Sequence, residues 1–252
     1  MKTFIQIISV CIVMASFTAS CKKQDLASPQ KDYSYFRIEK ITGTFSTNEG
    51  MNFTYNSQGD PISITAIGSG TNYESDRYVF NYDANGRLVE FMAPYTWTSP
   101  VQFKFWHRYG YDTQGRISVD SLYMYGTKDN DHPVSSQKEI DFFQYDAQNR
   151  IIRVYSNDST GKQKTLAKYT YDANGNRSDI SKHYDDKINF HRTNKIWQFL
   201  DRDYSINNPL DIQTYPSYTL CGLPENIETT RVGLKQFIDF QYTFMVVSYS
   251  AN

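Results

Sequence analysis

Apolar and polar residues alternate along most of this chain. In FNYDANGRLVEF, Phe80 to Phe91, the aromatics Phe80 and Tyr82 fall on one face of an extended strand, while Val79 and Asn81 fall on the other. The strand meets Asp-x-Asn-Gly and then a second β-rich run. The same unit recurs as FTYNSQGDPISI from Phe53, YGYDTQGRISVD from Tyr109, FQYDAQNRIIRV from Phe143 and YTYDANGNRSDI from Tyr169. The second tyrosines are Tyr55, Tyr82, Tyr111, Tyr145 and Tyr171, at spacings of 27, 29, 34 and 26 residues. Such a period marks a repeat architecture.

Each copy predicts a β-hairpin. Asp83 takes the first position of a type I turn, where its carboxylate accepts a backbone N–H two residues on. Gly59, Gly86, Gly115 and Gly175 take the position that needs positive φ, as in a hairpin loop closed by a G1 bulge. Asn149 replaces glycine in one copy, and asparagine tolerates that conformation better than other side chains. The period holds two strands, a tight turn and a longer return. FIDFQYTF, with Phe240 and Tyr242, has the strand without the turn and is expected to cap the sheet. There is no sustained helical period, although Trp197 to Asp203 suits a short helical turn. The expectation is one all-β domain over residues 34–252: an antiparallel meander of hairpins forming a strongly curved sheet or a closed barrel-like structure, soluble.

The start of the chain breaks this pattern. Lys2, an apolar run from Phe4 to Ala15 and the small residues Thr18-Ala19-Ser20 precede Cys21. Residues 1–20 therefore read as a removable secretory signal. Its apolar run, about a dozen residues, is too short to cross roughly 30 Å of hydrocarbon. A cysteine directly after small residues resembles the lipobox of bacterial lipoproteins, which implies lipidation at Cys21; Thr18 departs from the leucine-like residue usual there. Ordinary secretion is the alternative. Residues 21–33 are polar, contain Pro29 and read as a flexible tether.

The Tyr-Asp-x-x-Gly-Arg units resemble the YD repeats of Rhs-type proteins. Together with the lipobox and the segment NNPLDI…GLPENI, Asn207 to Ile227, the whole mature chain resembles a Bacteroidetes lipoprotein family of unknown function described as porin-like in fold. That resemblance implies a curved or closed antiparallel sheet and supplies no catalytic residue. A membrane pore is not expected. In VQFKFWHRYGYD the face opposite Phe103, Phe105, His107, Tyr109 and Tyr111 carries Gln102, Lys104 and Arg108, whereas a spanning barrel needs an apolar outward face.

Charge adds little. Removing residues 1–20 takes Lys2 and leaves 25 basic against 27 acidic residues, a net charge near −2, with no electrostatic case for nucleic acid. The cysteines are Cys11, Cys21 and Cys221, which leaves no pair for a disulfide within the mature domain once Cys21 is lipidated.

Candidate chemistry is sparse. The repeated Asp-x-Asn-Gly lacks the alternating ligands and terminal Glu of a calcium loop. Asp129, Asp131, His132 and Glu139 fall in a polar segment without the glycine at its bend. His107, His132, His183 and His191 show no metal-ligand spacing. The cluster His183-Tyr184-Asp185-Asp186 is the least ordinary of these. No nucleophile elbow, phosphate loop or dinucleotide fingerprint is present. No metal or cofactor is expected, and no enzyme activity.

With 21 Tyr and 16 Phe, most aromatics are accounted for by cross-strand packing. Tyr95 and Trp97 between Pro94 and Pro100, and Tyr215 and Tyr218 in YPSY, fall outside that pattern. They either cap the fold or present flat faces to a ligand, and they are the candidate ligand-contact residues. If the Tyr-Asp turns share one edge of the sheet, the variable returns 66–76, 92–101, 126–137 and 157–164 share the other, where insertions and binding concentrate in repeat proteins.

The expected function is a non-enzymatic lipoprotein of the cell envelope, at the outer membrane, held to it by the N-terminal lipid and binding an extracellular partner, glycan ahead of protein. A structural or assembly role without a small ligand, and a glycan hydrolase, are the alternatives. The stretch Lys22-Lys23-Gln24-Asp25 is not a strongly acidic export signal, so the periplasmic face and the cell surface both stay open.

Overall fold

The computed structural model describes residues 36–43, 50–67, 78–96, 99–229 and 244–251. Its strands are β1 (Phe36–Gly43), β2 (Gly50–Tyr55), β3 (Pro61–Ile67), β4 (Tyr78–Tyr82), β5 (Leu88–Thr96), β6 (Ser99–Tyr111) and β7 (Ile117–Asp129). They continue as β8 (His132–Val134), β9 (Gln137–Tyr145), β10 (Ile151–Asn157), β11 (Gln163–Lys168), β12 (Gln213–Tyr218), β13 (Pro224–Thr229) and β14 (Phe244–Ala251). A 3-10 turn (Phe190–Thr193) and a short helix, α1 (Lys195–Asp201), lie between β11 and β12. All fourteen strands form one antiparallel sheet, in the order β11-β10-β9-β7-β6-β5-β4-β3-β2-β1-β14-β13-β12, with β8 beside β7. The ladder runs from β11 to β12 and those edges do not pair, so the sheet is not a closed barrel.

The turns take the expected form. In the Asp83 turn, Asp83 N–H donates to Arg87 O, Gly86 N–H donates to Asp83 O, and Asp83 Oδ1 accepts from Asn85 N–H and Arg87 N–H. The same pairs close the turns begun by Asn56, Asp112, Asp146 and Asp172. φ is positive at Gly59 (88°), Gly86 (72°), Gly115 (75°), Asn149 (61°) and Gly175 (83°). Two more turns of this form, Asp158–Lys162 with Gly161 and Thr219–Leu223 with Gly222, lack the full motif and escape the sequence reading.

The Asp-Arg-Tyr chemistry explains why the motif is conjoined. Arg87, Arg116 and Arg150 pair with the Asp four residues earlier, at 2.7 to 2.8 Å. The N–H and then the guanidinium of Arg87 hold Asp83 below the usual carboxylate range. Each guanidinium then covers the tyrosine ring of the next unit: Arg87 over Tyr111, Arg116 over Tyr145 and Arg150 over Tyr171, at 4.8, 4.7 and 4.0 Å. The tyrosine hydroxyl reaches back to the preceding hairpin. Tyr82, Tyr111, Tyr145 and Tyr171 donate to the carbonyls of Pro61, Leu88, Ile117 and Ile151, the first residue after each turn. Burial pushes the Tyr111 hydroxyl up to about 12.

Three further units lack the full motif but share this latch or its turn. Tyr184 donates to Arg177 O, 2.6 Å, and bridges Pro209. Its Asp185 N–H donates to Asn208 O, and Asp185 Oδ1 accepts from Lys187 N–H and Asn208 N–H, the bonds of an ordinary turn. Residues 188–207 are thus an insertion inside the turn of a sixth unit. Tyr218 pairs with Pro224 across the Thr219 turn, which makes it the tyrosine of a seventh. Tyr249 donates to Pro224 O, 2.7 Å, and pairs with Ile38. Tyr55 in turn donates to Ile38 O, 2.8 Å, under Arg37. The strands β14 and β1 are therefore an eighth unit, split at the position of its turn. Eight tyrosines ring this edge although the ladder is open. Only Tyr218 differs, donating to the Asp185 carboxylate at 2.7 Å.

The insertion fills the inner face. Trp197 meets Phe53 and Phe80 edge-on at 5.6 and 5.8 Å, and Phe199 meets Tyr109 and Phe143 at 5.4 and 5.3 Å. In the first four pairs the first aromatic thus packs on the insertion, and the second latches. Strands β2 and β9 are six steps apart in the ladder, about 29 Å if flat. Both touch the same seven-residue helix, β2 through Trp197 and β9 through Phe199.

Helix α1 begins two residues before the expected turn, at Lys195, because Asn194 caps it by accepting from Ile196 N–H. Phe240 and Tyr242 lie outside the described residues, and the last strand to pair is Phe244–Ala251. If Tyr249 is a unit tyrosine, Tyr249→Phe should cost about as much as Tyr111→Phe, on the order of 1 kcal/mol each for a lost buried hydrogen bond. Urea denaturation of both variants tests this; a silent Tyr249→Phe beside a costly Tyr111→Phe would dissolve the eighth unit.

Candidate functional site

The inner face continues beyond the insertion toward the return edge. Cross-strand pairing sets Phe80, Phe91, His107, Leu122 and Glu139 in one row, and Ala93, Phe105, Met124 and Gln137 in the next. Tyr78 stacks on Phe105 at 5.9 Å, Phe91 meets Phe105 at 5.3 Å and stacks on His107 at 5.6 Å, and His107 stacks on Tyr109 at 6.1 Å. Phe91 is buried, Tyr78, Phe105 and His107 are half-buried, and Glu139 is exposed. This is a shelf of rings with a partly open face. Phe103 does not extend it. The register shifts between Ala93 and Pro94, and Phe103 instead meets Trp106 at 5.5 Å, whose indole is buried with Lys128 over it.

Carboxylates border the shelf. Asp120 lies opposite both Tyr109 and Asp141 in adjacent pairings. His107 Nδ1–H donates to both oxygens of Asp120, at 2.9 and 2.8 Å. Burial, and then the nearby Asp120 and Glu139 charges against the pull of Arg202, hold Asp141 above the usual carboxylate range. Arg202, at the C-terminal end of α1, reaches Asp141 at 3.6 Å.

The predicted contact residues fare differently. Cys21 and Trp97 lie outside the described residues. Tyr95 is in β5 and Tyr215 and Tyr218 are in β12, so these aromatics stand in strands rather than in loops. Proline is tolerated in β12 because it is an edge strand, and Pro94 of the interior strand β5 falls where the register shifts. Tyr215 is buried at 8 % exposure and donates to Gln213, which removes it as a flat face for a ligand. Tyr218 is a unit tyrosine. Cys221, expected to stand alone, is disulfide-bonded. No cluster of three metal-ligating side chains occurs among the described residues.

Three of the four histidines pair with aspartates distant in sequence, which no local spacing reveals. His183 Nδ1–H donates to Asp211 at 2.7 Å, and this bond leads the effects that hold Asp211 below the usual carboxylate range. The His183 to Asp186 cluster is thereby structural: Asp185 belongs to a turn and His183 to an exposed pair. His191 is buried; its Nε2 lies 2.6 Å from Asp201, and its Nδ1 lies 2.8 Å from Asn189 Oδ1. Both ring nitrogens face acceptors, so the imidazolium fits. Burial pulls its pKa down, but the charge and hydrogen bond of Asp201, with Asp203 behind, outweigh burial and leave it raised. A raised folded-state pKa contributes stability below the unfolded value of about 6.5 and loses it as pH rises through the folded value. Unfolding free energy should fall from pH 6 to pH 9, and Asp201→Asn should flatten that fall; an unchanged slope in Asp201→Asn rules the pair out as its source.

One cavity opens on the turn edge, with a volume of about 650 Å³, between the Asp146 and Asp172 turns, Asp185 and Asp186, and Ile206 and Asn207 of the insertion.

No family model matches the chain. No curated protein matches it either. A solved structure described as "Crystal Structure of TcdB2-TccC3-TEV" is similar at a TM-score of 0.29 and 10% identity, over 73% of this chain and 9% of that one. A likeness that weak carries no argument about function.

Proposed function

We propose that the protein is a lipid-anchored envelope protein that binds a glycan without transforming it, on the return-side shelf of Tyr78, Phe91, Phe105 and His107. The observation that carries this reading is the partly open row of stacked rings bordered by Glu139 and Asp141. Sugar rings offer apolar C–H faces to aromatic planes and hydroxyls to neighbouring carboxylates, the mixture that a mostly apolar site with a few polar groups recognises. Position supports it as well. The chain enters β1 and leaves β14 at the turn edge, so a tether from Cys21 holds that edge and leaves the shelf facing away from the membrane.

The hydrolase reading gains one observation, the opposed Asp120 and Asp141, since paired carboxylates at about 5 Å suit retaining hydrolysis. Against it, both Asp120 oxygens are taken by His107 and the residue is only 6 % exposed, and Asp141 is turned to Arg202. Asp120 ties β7 to β6 through His107, and Asp141 ties β9 to the end of α1 through Arg202, rather than meeting a substrate.

A glycan array with wild type and Phe105→Ala tests binding, with melting temperature as the control for folding. Binding that Phe105→Ala weakens at least tenfold is expected; no binding by wild type sinks the glycan reading. Anchoring has its own test. The disulfide at Cys221 stands against this anchoring, because the other cysteines of the chain are Cys11, in the segment that cleavage removes, and Cys21, whose thioether-linked sulfur could not join a disulfide. Intact mass of the membrane-extracted protein, before and after reduction, should show the lipid and no bond to Cys21.

A further inference from the structure

The turn-edge cavity lies where the repeat breaks its own rule. In three units the turn aspartate gives Oδ1 to backbone N–H groups and Oδ2 to the arginine four residues on. In the fifth unit that arginine is replaced by Asn176, which is buried and turned away. Asn176 Nδ2–H donates to Asn207 Oδ1 at 3.2 Å, and Asn207 N–H donates to Asn176 Oδ1 at 2.9 Å. The insertion has taken the place of the arginine. Asp172 keeps only the N–H of Asn176 on Oδ1, 2.8 Å, and its Oδ2 has no partner among the described residues.

The other charges around the cavity are engaged. Arg150 is held by Asp146 and by the Tyr171 ring; Asp185 accepts from Asn208 and Tyr218; Asp186 pairs with Lys187 at 2.7 Å. The exposed amides of Gln148 and Asn174 line the space, and buried Ile206 forms an apolar patch. Its volume of about 650 Å³ falls within the range of sites that hold small molecules, roughly 300 to 1,000 Å³. A single unpaired negative charge, amides and an apolar floor suit a hydroxyl-rich ligand that carries one ammonium group.

We propose that this cavity is a second binding site, for an amino sugar with a free amine, its ammonium on Asp172 Oδ2 and its hydroxyls on Gln148 and Asn174. The site is separate from the aromatic shelf and stands or falls on its own.

The variant that tests it is Asp172→Asn. Asn56 already serves the first turn in this role, its Oδ1 accepting from Gln58 N–H and Asp60 N–H, so asparagine keeps the turn and removes the charge. The probes are a β-1,4-linked glucosamine trimer and its N-acetylated counterpart, titrated by calorimetry at mildly acidic pH, where the amines are protonated. Wild type should bind the free-amine trimer about tenfold or more tightly than the acetylated one, the scale of a lost charge-assisted hydrogen bond. Asp172→Asn should bind the two alike, at an unchanged melting temperature. Phe105→Ala should leave this preference intact, which separates the cavity from the shelf. No binding of the free-amine trimer, or a preference that persists in Asp172→Asn, overturns the proposal.

Discussion

Trp197→Ala is expected to destabilise the protein by about 3 to 5 kcal/mol, the range for emptying a buried indole site. Trp197 is 3 % exposed and meets Phe53 of β2 and Phe80 of β4 edge-on, so its removal opens a space that two strands share. Those strands cannot close on each other, because β3 lies between them in the ladder and fixes their separation. The loss also loosens one end of the insertion, while Phe199 on Tyr109 and Phe143 and Arg202 on Asp141 still hold the other. Asn194 Nδ2–H, donating to Gly59 O at 3.0 Å, would be left as the polar tie to the first turn. At about 2 to 4 °C per kcal/mol for a chain of this size, the midpoint of thermal unfolding should fall on the order of 10 °C. A fall below about 3 °C would mean that the insertion is decoration rather than core.

Gly175→Val should cost more than Gly86→Val, although both glycines occupy the same place in the motif. Both have positive φ, 83° and 72°, which a β-branched residue adopts at a cost of about 1 to 3 kcal/mol. A side chain at Gly86 enters open space. At Gly175 the first added carbon would lie 2.7 Å from Ile206 Cδ1 and 3.2 Å from Cγ1, so the insertion must also shift. Overpacking adds about 1 to 3 kcal/mol more. Gly86→Asn is the control and should be nearly silent, since Asn149 holds φ at 61° in the fourth unit. Urea denaturation gives the order; equal losses for the two valine variants would show that Ile206 yields freely.

The strand content, four of the five hairpins and the residues at every bend were legible because a turn closes on residues four apart and a strand face on residues two apart; the fifth copy closes its turn but pairs only through the single Tyr171–Arg177 bridge. Asp83, Gly86 and Asn149 each announce a local conformation, and the structure places them in it. The partners His183–Asp211 and His191–Asp201 were not legible, since sequence spacing is silent about contacts made by folding back. Tyr218 was misread for a related reason. With Thr219 for Asp and Leu223 for Arg its motif is eroded, and the prolines beside it suggested a loop; its pairing with Pro224 identifies it as one more unit tyrosine.

By itself, then, the sequence determined a series of hairpins, because each hairpin is specified by about a dozen contiguous residues whose turn chemistry and alternation agree. How the hairpins associate was decided only in three dimensions. The tyrosine hydroxyl spends its hydrogen bond on the neighbouring unit, 20 or more residues away for Tyr82, Tyr111, Tyr145 and Tyr171, and the same bond joins Tyr55 to a strand whose other partner is β14. The packing of the insertion, the shelf beyond it and the turn of Asn176 away from Asp172 likewise rest on contacts between segments distant in the chain. Burial depends on which strands and which insertion surround a residue, and local alternation does not carry that information.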